Sequence, residues 1–207
     1  MKSSIKNFRE LHKAEQPLIL GNVWNVQSAK IYQKLDYQAI GTSSAAVAHS
    51  LGYEDGENMP FGEYFFIIKR IIKNTSLPVS VDLEAGYGKD VETVFQNIKE
   101  LAEIGVAGIN IEDTIVFEGK RQLVDKIIFT SKLKSLTNLL TENNIDIFLN
   151  VRCDVFLLQL PNAVNEVINR IKLYEAQSVD GIFLPSITSE NDIQKIITNT
   201  ALPINVM

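Results

Sequence analysis

The chain has 207 residues, 45% of them apolar and 22% charged, which suits one well-buried core and excludes disordered and collagen-like classes. A net charge of −5, with no stripe of lysine and arginine interleaved with aromatics, argues against a nucleic-acid partner. No apolar run approaches transmembrane length, and the single Cys153 cannot form an intrachain disulfide, so a cytoplasmic protein with no membrane partner is expected.

From the N-terminus, Ile5, Phe8 and Leu11 recur at helical spacing, where a secretion signal would need a continuous apolar stretch. Short apolar or β-branched runs then predict strands over 18–22, 38–43, 78–84, 107–113, 145–154, 181–186 and 202–207. Between the second and third runs, Phe61, Tyr64, Phe65, Ile68, Ile71 and Ile72 make a helical stripe. Val91, Val94, Phe95, Ile98, Leu101 and Ala102 make the next, closed by Gly105 at the position after the helix. Val164, Val167, Ile168 and Ile171 repeat the pattern, and Ser189 with Asp192 resembles a capping pair ahead of Ile193 and Ile196.

Strands regularly followed by helices imply parallel pairing, either in a closed barrel or in a doubly wound sheet. A doubly wound nucleotide binder needs a glycine-rich turn after its first strand. Here Gly21-Asn22-Val23-Trp24-Asn25 has one glycine, which favours the barrel. Residues 1–207 are expected to form a single domain, without internal repeat or linker.

The ends of the strands carry the chemistry. Alternation along Val81-Asp82-Leu83-Glu84 puts Asp82 and Glu84 on one face, and two adjacent carboxylates repel unless a proton or a hard cation such as Mg²⁺ lies between them. Likewise Asn110 pairs with Glu112 on one face, and Asn150 with Arg152. In a barrel these ends converge on one mouth, where barrel enzymes act. Each residue alone also has a bland alternative: Asp113 as a helix cap, Arg152 as a structural partner of Glu112, Trp24 as filler rather than lining of the mouth, and Cys153 as a small buried side chain. His12 and His49 have no partner at metal-ligand spacing.

With these strand ends, the sequence resembles the isocitrate lyase and phosphoenolpyruvate mutase superfamily from Phe8 to the last residue. Leu20-Gly21-Asn22-Val23-Trp24-Asn25 resembles its first strand end, and 41–48 (Gly-Thr-Ser-Ser-Ala-Ala-Val-Ala) resembles its substrate-binding loop. Asp82-Leu83-Glu84-Ala85-Gly86-Tyr87-Gly88 resembles its metal segment, with Glu84 replacing a second Asp. Asn110-Ile111-Glu112-Asp113 and Val151-Arg152-Cys153-Asp154 resemble two further strand ends. The resemblance implies a Mg²⁺-dependent enzyme that makes or breaks a C–C or P–C bond beside a 2-oxo acid or phosphonate, through an enolate. By analogy Asp82, Glu84 and Glu112 would hold the metal or its water shell. Trp24, Ser43, Ser44, Ala45, Asn110 and Arg152 would bind substrate. Asp55, on a gating segment over 52–57, would serve catalysis together with Arg152 and Lys120.

Three departures from the family pattern bear on function, one being that Ser44 and Ala45 stand where the family has glycines, which is expected to narrow the carboxylate pocket. The lyases carry a Lys-(Lys/Arg)-Cys-Gly-His loop, whereas this chain has Lys120-Arg121-Gln122-Leu123-Val124. With no thiol to protonate an enolate carbon, isocitrate-type cleavage is not expected, and the cysteine-free branch of mutases, phosphonopyruvate hydrolases and oxo-acid decarboxylases is favoured. The family also continues beyond the point corresponding to Val206-Met207, so a (β/α)₈ TIM-type barrel truncated after its seventh strand is expected. Unpaired edges on the first and seventh strands would then favour homo-oligomers, marginal stability and weak activity in the 207-residue chain. The alternatives are a truncated relative that folds and associates but catalyses nothing, and an unrelated phosphate-binding barrel, disfavoured because no glycine-rich phosphate loop is visible.

Overall fold

The computed structural model describes residues 2–207. After a first helix, α1 (Lys2–Leu11), the chain alternates through β1 (Leu20–Val23), α2 (Val26–Lys34), β2 (Ala39–Thr42), α3 (Ser44–Ser50), α4 (Phe61–Ile72), β3 (Val79–Asp82), α5 (Val91–Glu103) and β4 (Gly108–Glu112). A hairpin of β5 (Thr114–Phe117) and β6 (Lys120–Leu123) follows. Then come α6 (Lys126–Glu142), β7 (Phe148–Arg152), α7 (Ala163–Glu175), β8 (Gly181–Leu184), α8 (Glu190–Ile197) and β9 (Ile204–Val206). Every predicted strand run overlaps one of the seven parallel strands.

The seven pair in the order β1-β2-β3-β4-β7-β8-β9, forming the curled parallel sheet of an α/β barrel fold. All residues of β2 and β3 are buried, as expected for strands packed on both faces. The helices dock through the predicted stripes: Tyr64, Ile68 and Ile71 from α4, Val94, Phe95, Ile98 and Leu101 from α5, and Val167 and Ile171 from α7. Ser189 caps α8 by accepting from the Asp192 N–H. Gly105, at φ +100°, takes the left-handed position after α5.

The N-terminal ends of the strands are closed by α1. Its Ile5 and Phe8 pack with Ala39, Ala107 and Phe148 in a small core of their own, and His12 stacks on Phe148 at 4.3 Å. Gly108 makes this possible, because a Cβ there would lie 2.8 Å from the Phe8 ring and 3.2 Å from the Phe148 carbonyl oxygen. Gly108→Ala is therefore expected to cost about 1–3 kcal/mol through overpacking. Urea melts would measure this loss, which should leave ligand binding at the opposite end unchanged.

Inside the barrel, asparagines from three strands form a chain of amides. Asn205 Nδ2 donates to Asn150 Oδ1 at 3.2 Å, and Asn150 Nδ2 donates to Asn110 Oδ1 at 2.7 Å. β1 and β9 are the sheet edges among the described residues. Beside them Ile19, Val206 and Met207 are exposed, and Asn22 Nδ2 lies 3.8 Å from Met207 Sδ.

Candidate active site

Strand register brings the polar strand ends together. Asp82 ends β3, Glu112 ends β4 and Arg152 ends β7, with Glu112 directly opposite Arg152 across the β4–β7 ladder. From this position the Arg152 guanidinium reaches three carboxylates. Nε is 2.6 Å from Asp154 Oδ1, while Nη1 is 3.3 Å from Glu112 Oε2 and 3.7 Å from Asp82 Oδ2. Asp82 is further fixed by the Ser44 hydroxyl, which donates to Oδ2 at 2.9 Å. Its backbone is held too: the N–H donates to Thr42 Oγ1, and the carbonyl accepts from Tyr64 Oη at 2.7 Å.

The hairpin supplies a second arginine. Its two-residue turn uses Glu118 and Gly119, both at positive φ, as a tight hairpin requires. Antiparallel register then sets Val116 opposite Arg121 and Phe117 opposite Lys120. Successive residues face opposite ways, so Lys120 and Gln122 are exposed while Arg121 turns inward. Arg121 pairs with Glu112 and reaches Thr114 Oγ1 at 3.0 Å, Asp154 Oδ2 at 3.2 Å and Asp55 Oδ2 at 3.2 Å. Of the two basic residues, Arg121 and not Lys120 is therefore the one delivered to the mouth. The Glu-Gly turn and the period of two could have identified it.

Asp55 comes from the segment between α3 and α4, which folds over the same region. Gly56 abuts the hairpin so closely that a Cβ there would lie 2.6 Å from Val116 Cγ2. Glu84 is buried and, with Glu112, lines the cavity beside the strand ends, but it does not continue the β3 alternation. β3 stops at Asp82, and Glu84 has φ +49°, which breaks the alternation that would have aligned it with Asp82. Its carboxylate accepts from Glu57 N at 2.8 Å and from Tyr87 Oη at 2.9 Å.

Burial dominates the electrostatics of the cluster. It raises the Asp82 carboxyl above its ordinary value, partly offset by Arg152 and the Ser44 hydroxyl. It pushes Glu112 up to about 8 against the pull of Arg152, with Asp82 adding repulsion, and Glu84 up to about 7 despite the Tyr87 hydroxyl. Desolvation alone would lower Arg152, yet Asp82, Glu112 and Asp154 hold it above its ordinary value.

Among the described residues, three buried side-chain oxygens accept no hydrogen bond: Asp82 Oδ1, Asp55 Oδ1 and Glu112 Oε2, the last paired only ionically with Arg152. An unsatisfied buried carboxylate oxygen is costly, and hard oxygen donors are what Mg²⁺ prefers, so this donor set fits such an ion. No group of three or more His, Cys, Asp or Glu side chains stands at metal-binding spacing among the described residues, so water would have to complete the shell. A cavity of about 430 Å³ adjoins the cluster under the hairpin, walled by Glu57, Glu84, Glu112, Val116, Phe129 and Lys132. Asp82 and Arg152 do not line it.

The remaining predicted residues are more scattered. Trp24, just after β1, is half-exposed. Ser43 caps α3 by accepting from the Ala46 N–H at 3.2 Å, and Ser44 and Ala45 begin that helix. The Asn110 Oδ1 is already taken by Asn150. Asp113 is not a helix cap, because a hairpin and not a helix follows β4. Its Oδ1 accepts from Asp154 N, and its Oδ2 accepts from Arg170 Nη1 at 3.1 Å and Tyr174 Oη at 2.9 Å. Burial drives the Cys153 thiol well above its usual range, as suits a packing residue.

The family described as phosphoenolpyruvate phosphomutase matches residues 8–207. A crystal structure from Burkholderia cenocepacia J2315, of a protein proposed to be a phosphonomutase, superposes with a TM-score of 0.92 at 33% identity, covering 99% of this chain and 84% of that one. An uncharacterised protein of Mycobacterium tuberculosis H37Rv is 28% identical over 97% of this chain and 73% of its own length. An oxaloacetate decarboxylase of Bradyrhizobium is 29% identical over 95% of this chain and 68% of its own length. No helix among the described residues is long and apolar enough to cross a membrane.

Proposed function

The chain belongs to the phosphoenolpyruvate phosphomutase family, and on that premise we propose that it is a Mg²⁺-dependent enzyme acting on a small 2-oxo acid or phosphonate through an enolate, of mutase, hydrolase or decarboxylase type. The observation that carries the reading is the set of unsatisfied buried oxygens of Asp82 and Glu112 beside Arg152. When bound, the cation supplies fixed positive charge next to an oxygen that becomes negative. Arg152 adds a second such charge, held in position by Asp154, so little reorganisation is needed as the enolate forms. Ser43, Ser44 and Ala45 form the candidate carboxylate end of the pocket by family resemblance. Asp55, from the segment between α3 and α4, and Arg121, on β6, form an ion pair at 3.2 Å beside Glu112.

Oxalate mimics the planar enolate of pyruvate, so Mg²⁺ and oxalate together should raise the melting temperature more than the sum of their separate effects. Absence of a joint shift at millimolar ligand would favour the non-catalytic alternative.

Isocitrate and 2-methylisocitrate should not be cleaved, because Gln122 takes the thiol position and its side chain is on the exposed face of the hairpin. Release of glyoxylate or pyruvate from either by the purified protein would contradict this. Cysteine at position 122 alone should not restore cleavage.

A further inference from the structure

We propose that Glu84 is not a ligand of the cation but a positioning residue, which with Glu57 clasps the segment carrying Asp55 over the site. The idea rests on the metal-dependent reading above and alters its residue assignment. The three orphaned buried oxygens belong to Asp82, Glu112 and Asp55, and none to Glu84. Both Glu84 oxygens are engaged, one by the backbone N–H of Glu57 and the other by the Tyr87 hydroxyl.

The contact is reciprocal. Glu57 Oε1 accepts the backbone N–H of Tyr87 at 2.7 Å, so each glutamate binds backbone in the segment that carries the other. Glu84, Glu57 and Tyr87 all have positive φ, a conformation that side chains other than glycine adopt at a cost and that persists where the surroundings enforce it. Both sides are anchored. The Glu84 carbonyl accepts from Glu112 N at 2.8 Å, the Tyr87 ring stacks on Tyr64 at 5.5 Å, and Lys132 Nζ donates to the Ala85 carbonyl at 2.7 Å beside Glu57. Asp55 is two residues from Glu57, so the clasp determines where the Asp55 carboxylate meets Arg121. The longer glutamate side chain gives Glu84 the reach to cross to the Glu57 N–H.

Glutamine at 84 separates the two roles. It can still accept from the Glu57 N–H through its oxygen, while its amide donates to the Tyr87 hydroxyl, so the clasp survives without the charge. With Mn²⁺ as the probe, read by loss of the free-ion paramagnetic resonance signal, Glu84→Gln should bind within about threefold of the unmodified chain. A residue supporting the metal shell would instead cost about 10–100-fold. Glu84→Ala and Glu57→Ala should both expose 52–58 to limited proteolysis and faster amide exchange. A tenfold or greater affinity loss in Glu84→Gln, or unchanged protection of the segment in both alanine variants, would overturn the proposal. Failure of the unmodified chain itself to bind Mn²⁺ at millimolar concentration would instead overturn the metal-dependent reading on which it rests.

Discussion

Replacing Asp82 with Asn is expected to abolish the joint stabilisation by Mg²⁺ and oxalate and to reduce turnover by at least about 10²–10³-fold, the range seen when one preorganised electrostatic contact is removed. Asp82 is buried, its Oδ1 is unsatisfied, and its position is set by Ser44, Thr42 and Tyr64 rather than by its own mobility. The amide is nearly isosteric and can still accept from Ser44, so the fold should survive while the charge is lost. At ligand concentrations 100-fold above Kd the unmodified protein should gain about 2.7 kcal/mol, and the variant should gain none. A variant that kept this shift would remove Asp82 from the cation site.

The second large effect is on stability. Arg170→Ala should cost about 3–5 kcal/mol, because it leaves a buried carboxylate without its counter-charge. Asp113 is fully buried and Arg170 nearly so, and Tyr174 bonds to both. The effect would extend to the site, since Asp113 Oδ1 holds the backbone of Asp154, and Asp154 holds Arg152. Urea denaturation of Arg170→Ala and of Arg170→Met with Asp113→Asn would separate the components. The double variant removes the uncompensated charge and should recover part of the loss. A loss below about 1 kcal/mol in the single variant would mean that water reaches Asp113.

Much of the fold was legible because parallel strands buried on both faces are apolar runs, and their helices keep the spacing of a one-sided stripe. The convergence of Asp82, Glu112 and Arg152 followed from knowing which end of a barrel strand carries chemistry. Glu84 was misaligned with Asp82 because the period of two holds only while the backbone remains extended, and φ +49° ends that. The β-branched first strand and Glu-Gly turn of 114–123 signal a hairpin, and the hairpin's period of two turns Arg121 inward and Lys120 outward. The Asp113–Arg170 pair spans 57 residues, and Arg170 lies between Val167 and Ile171 on a helix whose pattern gives no hint of a buried cation.

The asparagine chain in the barrel has a directional consequence. Hydrogen-bond donation passes from Asn205 through Asn150 to Asn110, so the amide orientation of each member is dictated by the one before it. A one-residue slip of β9 would turn Asn205 to the opposite face, leave the Asn150 carbonyl without that donor and bring Val206 inward. β9 has only three residues and one neighbouring strand, too little ladder to enforce its own alignment. The amides thus act as a parity check on the last strand, coupling its correct seating to the strands that carry Glu112 and Arg152.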